Sequence, residues 1–114
     1  MIVYGIKNCN TVQKALTWLK VQSFEYSFHD YKKEGISKEK LEAWASKKGW
    51  EILVNKKGTT WKNLTELEKE AVTNLASAVA LMQEKTSIIK RPVVEADGKI
   101  LVGFDANVYA SLLK

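Results

Sequence analysis

Hydrophobic residues in the first part of the chain predict the order strand, helix, strand. Residues 2–6 form a short apolar run rich in β-branched and aromatic side chains, which predicts a buried strand. One helical stripe then runs to about Val21, with Asn10 or Thr11 as the expected cap. Its members are Val12, Ala15, Leu16 and Leu19. Residues 24–31 alternate with period two, which predicts a second strand, and the whole is a βαβ unit with parallel strands.

The middle of the chain, from about residue 36 to residue 86, is predicted to be a helical insertion. One helix is expected to begin after Ser37 and to end at Gly49. Its inward face consists of Leu41, Trp44 and Ala45. Residues 50–64 predict short helical pieces joined by a polar loop, and residues 65–68 (TELE) match a capping box. The last helical stripe of this region consists of Leu75, Ala78, Val79 and Met82.

The end of the chain predicts a hairpin followed by a helix. Two β-prone runs, residues 93–96 and 99–103, are separated by an Asp-Gly pair, which is a strong hairpin signal. A closing helix is expected over about residues 106–113. The side chains that it is expected to bury are Val108, Leu112 and Tyr109. The order β-α-β, helical insertion, β-β-α predicts a single α/β domain over residues 1–114, with a mixed sheet and helices on both faces.

Composition narrows the class of protein. The 114 residues are 46% hydrophobic and 27% charged, which argues against global disorder, and one cysteine excludes a disulfide scaffold. The chain shows no apolar run of about 18 residues and no signal-peptide pattern, so we expect no membrane association and a cytoplasmic location. The net charge is +5, but the lysines are dispersed, so a nucleic-acid partner is not expected.

The candidate chemistry centres on Cys9, which lies between the first strand and the first helix. Unpaired N–H groups and the dipole at a helix N-terminus favour a thiolate, and Lys7 adds a positive charge. Such surroundings lower a cysteine pKa from ~8.5 into the range ~3.5–7.5. Position alone leaves two interpretations open, a reactive nucleophile or a small buried apolar residue. Pro92, the only proline, stands at the head of the third strand, where no ladder donor is lost.

Several motifs resemble, in order and over nearly the whole chain, the arsenate reductase (ArsC)/Spx family. Residues 4–11 (YGIKNCNT), with Lys14 and Ala15, are similar to the opening of that family. Further motifs point to its YffB-like branch, and they are residues 28–31 (FHDY), 58–61 (GTTW), 88–92 (IIKRP) and 101–104 (LVGF). The resemblance implies a thioredoxin-like fold in which Pro92 is cis and lies against a redox-active Cys9.

The resemblance also implies an activity. YffB-like proteins are regarded as glutathione-dependent thiol reductases, so the expected function is that of a thiol–disulfide oxidoreductase with Cys9 as nucleophile. Its substrate would be a disulfide, a glutathionylated molecule or an oxyanion, and glutathione would be the reductant. The residues expected to bind glutathione or substrate, or to stabilise the thiolate, are Lys7, Asn8, Asn10, Arg91 and Pro92. Three residues of the insertion, Thr59, Thr60 and Trp61, are expected at the border of the site.

Two alternatives come from other branches. Spx-type proteins bind RNA polymerase and often carry a Cys-x-x-Cys pair, but here the fourth position is Val12. Arsenate reductases coupled to glutaredoxin surround the oxyanion with several arginines, whereas this chain has only Arg91. The family often has arginine at three further positions. In this chain one of them is Gln13, one lies near Asn55, and one lies near Gly103 or Phe104. No Cys/His cluster is present, so no metal is expected.

Overall fold

The computed structural model describes residues 1–114 and contains a four-stranded mixed sheet in the order β2-β1-β3-β4. The strands are β1 Ile2–Gly5, β2 Ser27–Asp30, β3 Val93–Ala96 and β4 Lys99–Val102. β1 is parallel to β2 and antiparallel to β3, and β3 is antiparallel to β4. The predicted α/β, thioredoxin-like arrangement with a mixed sheet is confirmed.

Eight α-helices accompany the sheet, and none of them is long and apolar enough to cross a membrane. They are α1 Asn10–Val21, α2 Tyr31–Glu34, α3 Lys38–Lys48, α4 Trp50–Leu53, α5 Thr59–Lys62, α6 Glu66–Glu70, α7 Leu75–Glu84 and α8 Ala106–Leu113, with a 3-10 helix at Thr86–Ile88. The chain forms two compact units, residues 1–34 with 91–114, and residues 35–90. The description as a single domain stays a prediction.

The first unit packs α1 and α8 against one face of the sheet. Its core cluster consists of Val3, Ala15, Leu19, Val94, Leu101 and Tyr109. In the sheet register, Tyr4 lies opposite Val93, and Val93 lies opposite Val102. The end of β1, the start of β3 and the end of β4 therefore meet at one edge of the sheet, and α1 begins just beyond that edge.

The second unit is helical, and the residues that the sequence predicts to begin or end two of its helices, α3 and α6, do so in the structure. The Ser37 hydroxyl accepts a 3.1 Å hydrogen bond from the N–H of Lys40, and Gly49 ends α3 with φ of 86°. Thr65 and Glu68 form the predicted capping box of α6. The buried side chains of α3 and α7 are Leu41, Trp44, Ala78, Val79 and Met82, whereas Ala45 is half-buried and Leu75 is exposed.

The first of the wrong predictions concerns β2, which is shorter than residues 24–31. The strand ends at Asp30, because the Asp30 carboxylate accepts a 2.9 Å hydrogen bond from the N–H of Lys32 and turns the chain into α2. The Glu34 carboxylate accepts a 3.0 Å hydrogen bond from the N–H of Asp30. Tyr31 is therefore the first residue of a short helix and not the last residue of a strand.

The second wrong prediction concerns two of the three side chains that α8 is expected to bury, whereas the burial of Tyr109 is confirmed. Val108 and Leu112 are 45% and 38% exposed, whereas Tyr109 is 1% exposed. The Tyr109 hydroxyl donates a 2.6 Å hydrogen bond to the carbonyl oxygen of Gly103, which holds this side chain against the sheet. Leu113, four residues after Tyr109, packs with it, so the buried stripe is rotated by one residue from the expected one.

Candidate active site

The thiol of Cys9 lies at the start of α1. Cys9 is the N-cap residue of the helix, in extended conformation with φ of −123° and ψ of 123°, so neither Asn10 nor Thr11 caps it as predicted. Its carbonyl oxygen accepts a 2.9 Å hydrogen bond from the N–H of Gln13. A residue in this position aims its side chain at the unpaired N–H groups of the first turn. The side chain is partly buried.

The surroundings of the sulfur lower the pKa of Cys9. Burial on its own raises this pKa, but the backbone N–H of Val12, the positively charged side chain of Arg91 and the backbone N–H of Thr11 lower it. The net shift is downward from the ordinary value. More of the sulfur is therefore thiolate at neutral pH than in an unperturbed cysteine.

Arg91, which Pro92 follows just before β3, reaches the thiol because β3 starts at the edge where β1 ends. The peptide bond between them is cis, and Pro92 is buried. The Pro92 carbonyl oxygen accepts a 2.8 Å hydrogen bond from the N–H of Gly103, so the segment after β4 lies beside the proline. Arg91 lies 82 positions after Cys9 in the chain. The pairing of β1 with β3 thus brings its guanidinium group to Cys9, and no local sequence pattern reveals this proximity.

The turn before Cys9 is held by a residue that the sequence analysis had noted only as a departure from the family. The Gln13 side-chain amide donates a 2.7 Å hydrogen bond to the carbonyl oxygen of Lys7, and thereby ties the turn to α1. Lys7, Asn8 and Asn10 are exposed on this turn and on the first residue of the helix. Their side chains are therefore accessible to solvent, and their role in binding at the thiol stays a prediction.

A polar cluster that the sequence analysis missed lies on β1, β2 and β3. The Tyr4 hydroxyl donates a 2.7 Å hydrogen bond to Oε1 of Glu95. Burial raises the pKa of Tyr31, as do Tyr4 and Glu95, while Arg91 acts in the opposite direction. His29, the single histidine, packs its ring 4.9 Å from that of Tyr4 and 6.3 Å from that of Tyr31, measured between centroids.

The three insertion residues of the predicted border lie in α5 of the second unit. Oγ1 of Thr60 is 2.7 Å from Oγ of Ser87, and the Lys56 ammonium group is 5.3 Å from the centre of a Trp61 ring. These contacts are internal to that unit. The role of Thr59, Thr60 and Trp61 at the thiol stays a prediction.

The site therefore consists of one thiol, one guanidinium group and backbone N–H groups. No three of the His, Cys, Asp and Glu side chains come together to hold a metal ion. Such an arrangement holds a negatively charged sulfur and can attack an electrophilic sulfur or bind an anionic group.

Comparison with known proteins agrees with this arrangement. The model of the ArsC family matches residues 4–112. An uncharacterized protein of Haemophilus influenzae is 43% identical over 107 residues, which cover 94% of this chain and 93% of the relative. The structure of a YffB protein is 45% identical, with a TM-score of 0.94 over 99% of this chain and 98% of that one. An arsenate reductase (ArsC) related protein of Brucella melitensis is also 45% identical, with a TM-score of 0.77 over 99% and 93%.

Proposed function

This chain belongs to the ArsC family, and we propose that it is a thiol–disulfide oxidoreductase with Cys9 as its nucleophile and glutathione as its reductant. The family, with its arsenate reductase-related members, supports a thiol-dependent reductase. The observation that carries the proposal is the lowered pKa of Cys9 at the start of α1, beside Arg91. A purely structural cysteine needs neither a cation nor free N–H groups at its sulfur.

In the first step, the Cys9 thiolate attacks the glutathione sulfur of a glutathionylated substrate. A bond forms between Cys9 Sγ and that sulfur, while the substrate disulfide breaks and its thiolate leaves with the electron pair. The leaving thiolate takes up a proton from water. The protein is then a mixed disulfide with glutathione.

In the second step, a free glutathione thiolate attacks the glutathione sulfur of this mixed disulfide. Glutathione disulfide leaves, and Cys9 returns as a thiolate that the N–H groups of Thr11 and Val12 stabilise. An external thiol is required because Cys9 is the only cysteine of the chain. The cycle needs a compartment rich in reduced glutathione, so we place the protein in the cytoplasm.

We assign the remaining residues around the thiol to binding. Arg91 would pair with a glutathione carboxylate as well as with the sulfur, because a guanidinium group donates several hydrogen bonds in one plane. The backbone before Pro92 would pair with the extended glutathione peptide as an added strand. Lys7, Asn8 and Asn10, which are exposed next to Cys9 in the chain, would contact its polar groups.

Arsenate reduction is the second candidate function, because the Brucella melitensis relative is described as arsenate reductase related. The only guanidinium group that this chain offers to an oxyanion is that of Arg91. We therefore expect disulfide reduction to exceed arsenate reduction, even with glutaredoxin supplied as a partner.

The test is a glutathione-coupled turnover assay on wild type, Cys9→Ser and Arg91→Lys. The substrates are the mixed disulfide of glutathione with 2-mercaptoethanol and, separately, arsenate with glutaredoxin. Wild type should turn over the disulfide and form a glutathione adduct on Cys9 that mass spectrometry detects. Cys9→Ser should lose both, and Arg91→Lys should retain part of the activity, because lysine keeps the charge and loses the planar set of donors.

Any of three results would overturn the proposal. Turnover retained in Cys9→Ser would exclude the nucleophile. Arsenate turnover that exceeds disulfide turnover would favour the second candidate. Slow alkylation of Cys9 with no disulfide turnover would instead favour a binding module of the Spx type, and recovery of RNA polymerase subunits with the protein would then support it.

A further inference from the structure

An apolar groove runs along the outer side of α1 in the first unit. It has a volume of about 650 Å³ and is lined by α1 on one side and by the start of α8 with the segment before it on the other. We call it the α1 groove. Trp18 and Val21 of α1 and Phe104 after β4 supply its apolar surface. The proposed reaction assigns no role to it.

The α1 groove begins one residue after Cys9 in the chain. Its first α1 residue, Asn10, directly follows Cys9 in the chain. Phe104 directly follows Gly103, whose N–H is bonded to the carbonyl oxygen of Pro92. Both walls of the groove, the one formed by α1 and the one formed by the segment after β4, therefore start at the sheet edge where Cys9 lies. A substituent on the sulfur that is displaced from glutathione when Cys9 attacks has the groove as the adjoining apolar surface.

The aromatic walls of the groove are held in place by packing behind them. The Trp18 rings stack on Phe24 at 6.1 Å and meet Tyr109 edge-on at 5.8 Å between centroids. Phe104 meets the same Tyr109 edge-on at 4.9 Å. Side chains fixed in this way offer a preformed surface, which lowers the entropic cost of binding an apolar group.

The charge at the groove is positive. Lys14 is the one charged residue in its lining, and the ammonium group of Lys114 lies 5.9 Å from the centre of a Trp18 ring. No carboxylate is among the lining residues. An apolar ligand with a negatively charged end therefore matches this groove better than a neutral or cationic one.

We propose that the α1 groove binds the leaving half of the substrate, and that the preferred substrates are mixed disulfides between glutathione and a small arylmethyl thiol that carries a carboxylate on its ring. This inference rests on the proposed function and names its substrate class. The ring packs on Trp18 and Phe104, and the carboxylate lies near Lys14. Attack by Cys9 on the glutathione sulfur then expels the arylmethyl thiolate, which takes up a proton from water and leaves from the groove.

The experiment compares three mixed disulfides of glutathione. The partner thiols are 2-mercaptoethanol, benzyl mercaptan and 4-(mercaptomethyl)benzoate, all of which leave as alkyl thiolates, so the comparison isolates binding. In wild type, kcat/KM should be about tenfold higher for the benzyl than for the hydroxyethyl compound, as expected for partial burial of one ring. The carboxylate should add about threefold.

Variants at exposed positions separate the two contributions. Thr17→Glu places a carboxylate in the groove and should bring both ratios close to one. Lys14→Met should remove the advantage of the carboxylate and keep that of the ring. Ser111→Glu is the matched control, because it adds the same charge on an exposed residue of α8 outside the groove lining, and both ratios should stay as in wild type.

The outcomes distinguish the inference from the proposed function. Turnover of all three disulfides with ratios near one would overturn the inference and leave the proposed function intact. If no disulfide is turned over, the proposed function fails, and binding of the unreactive probe 4-ethylbenzoate decides for the groove. A shift of the Trp18 indole N–H resonance that Thr17→Glu abolishes would support the ligand class, and no shift would overturn it.

Discussion

Gly5, the last residue of β1, lies so close to Val12 in the first turn of α1 that a Cβ atom at position 5 would be 2.9 Å from Val12 Cγ2. Val12 is fully buried and β-branched, so its methyl group cannot turn away at low cost. The backbone N–H of the same residue is one of the groups that lower the pKa of Cys9. The contact between strand end and helix start therefore fixes the position of the thiol.

Gly5→Ala is expected to destabilise the protein and to raise the pKa of Cys9. The added methyl group forces Val12 to shift, which costs about 1–3 kcal/mol of unfolding free energy, and it moves a donor away from the sulfur. Urea unfolding and the pH dependence of alkylation measure the two effects. Val12→Ala in the Gly5→Ala background removes the clash, so the loss in the double variant should be smaller than the sum of the single losses. Additive losses would contradict this account.

Arg91→Met is expected to raise the pKa of Cys9 and to slow its alkylation at neutral pH. The variant removes both a hydrogen bond to the sulfur and a positive charge beside it. Lys7→Met is the comparison, because sequence analysis predicts a stabilising charge there, whereas the structure identifies Arg91 as the cation that lowers this pKa. The curve of alkylation rate against pH should move further toward high pH in Arg91→Met than in Lys7→Met. A larger movement in Lys7→Met would reverse the assignment.

Stability should depend on pH through Cys9. The pKa of Cys9 is lower in the folded protein than its ordinary value, so between the two values the unfolded chain binds more protons than the folded one. The thiolate therefore stabilises the folded state above the ordinary cysteine pKa, and this stabilisation is lost as the pH falls through the folded pKa. The difference in unfolding free energy between wild type and Cys9→Ser should rise with pH over that window and then level off. A flat difference would mean that the pKa of Cys9 is the same in both states.

Local signals in this sequence predict local structure, as particular elements illustrate. The Asp-Gly pair sits between β3 and β4, the capping box starts α6, and α8 spans the predicted residues, because each depends on side chains a few positions apart. The burial of Val108 and Leu112 in α8 was predicted wrongly, because apolar residues occupy these two positions as well as the face of Tyr109. Periodicity alone does not decide between two adjacent apolar stripes.

The candidate site likewise contains one part that local sequence signals predict and one part that they do not. The location of Cys9 at the start of a helix follows from the strand-to-helix pattern alone, whereas the approach of Arg91 to its sulfur depends on the pairing of β1 with β3 across most of the chain. A capping side chain was expected at Asn10 or Thr11, and the chain instead places the thiol itself at the cap position. Polar residues are the preferred N-caps of helices, so a sequence pattern does not predict a cysteine at the cap position.

Tyr31→Phe is expected to leave the unfolding free energy unchanged or to raise it by about 1 kcal/mol, because a buried hydroxyl without a partner lowers stability. The Tyr31 hydroxyl is buried and makes no hydrogen bond in the structure. Tyr4→Phe is the matched control, since it deletes the hydroxyl that donates to Glu95 at 2.7 Å. That variant should lose about 1–3 kcal/mol, because it removes a hydrogen bond to a charged group. Urea unfolding of both variants measures the contrast, and a loss in Tyr31→Phe as large as that in Tyr4→Phe would show that the Tyr31 hydroxyl has a partner in solution.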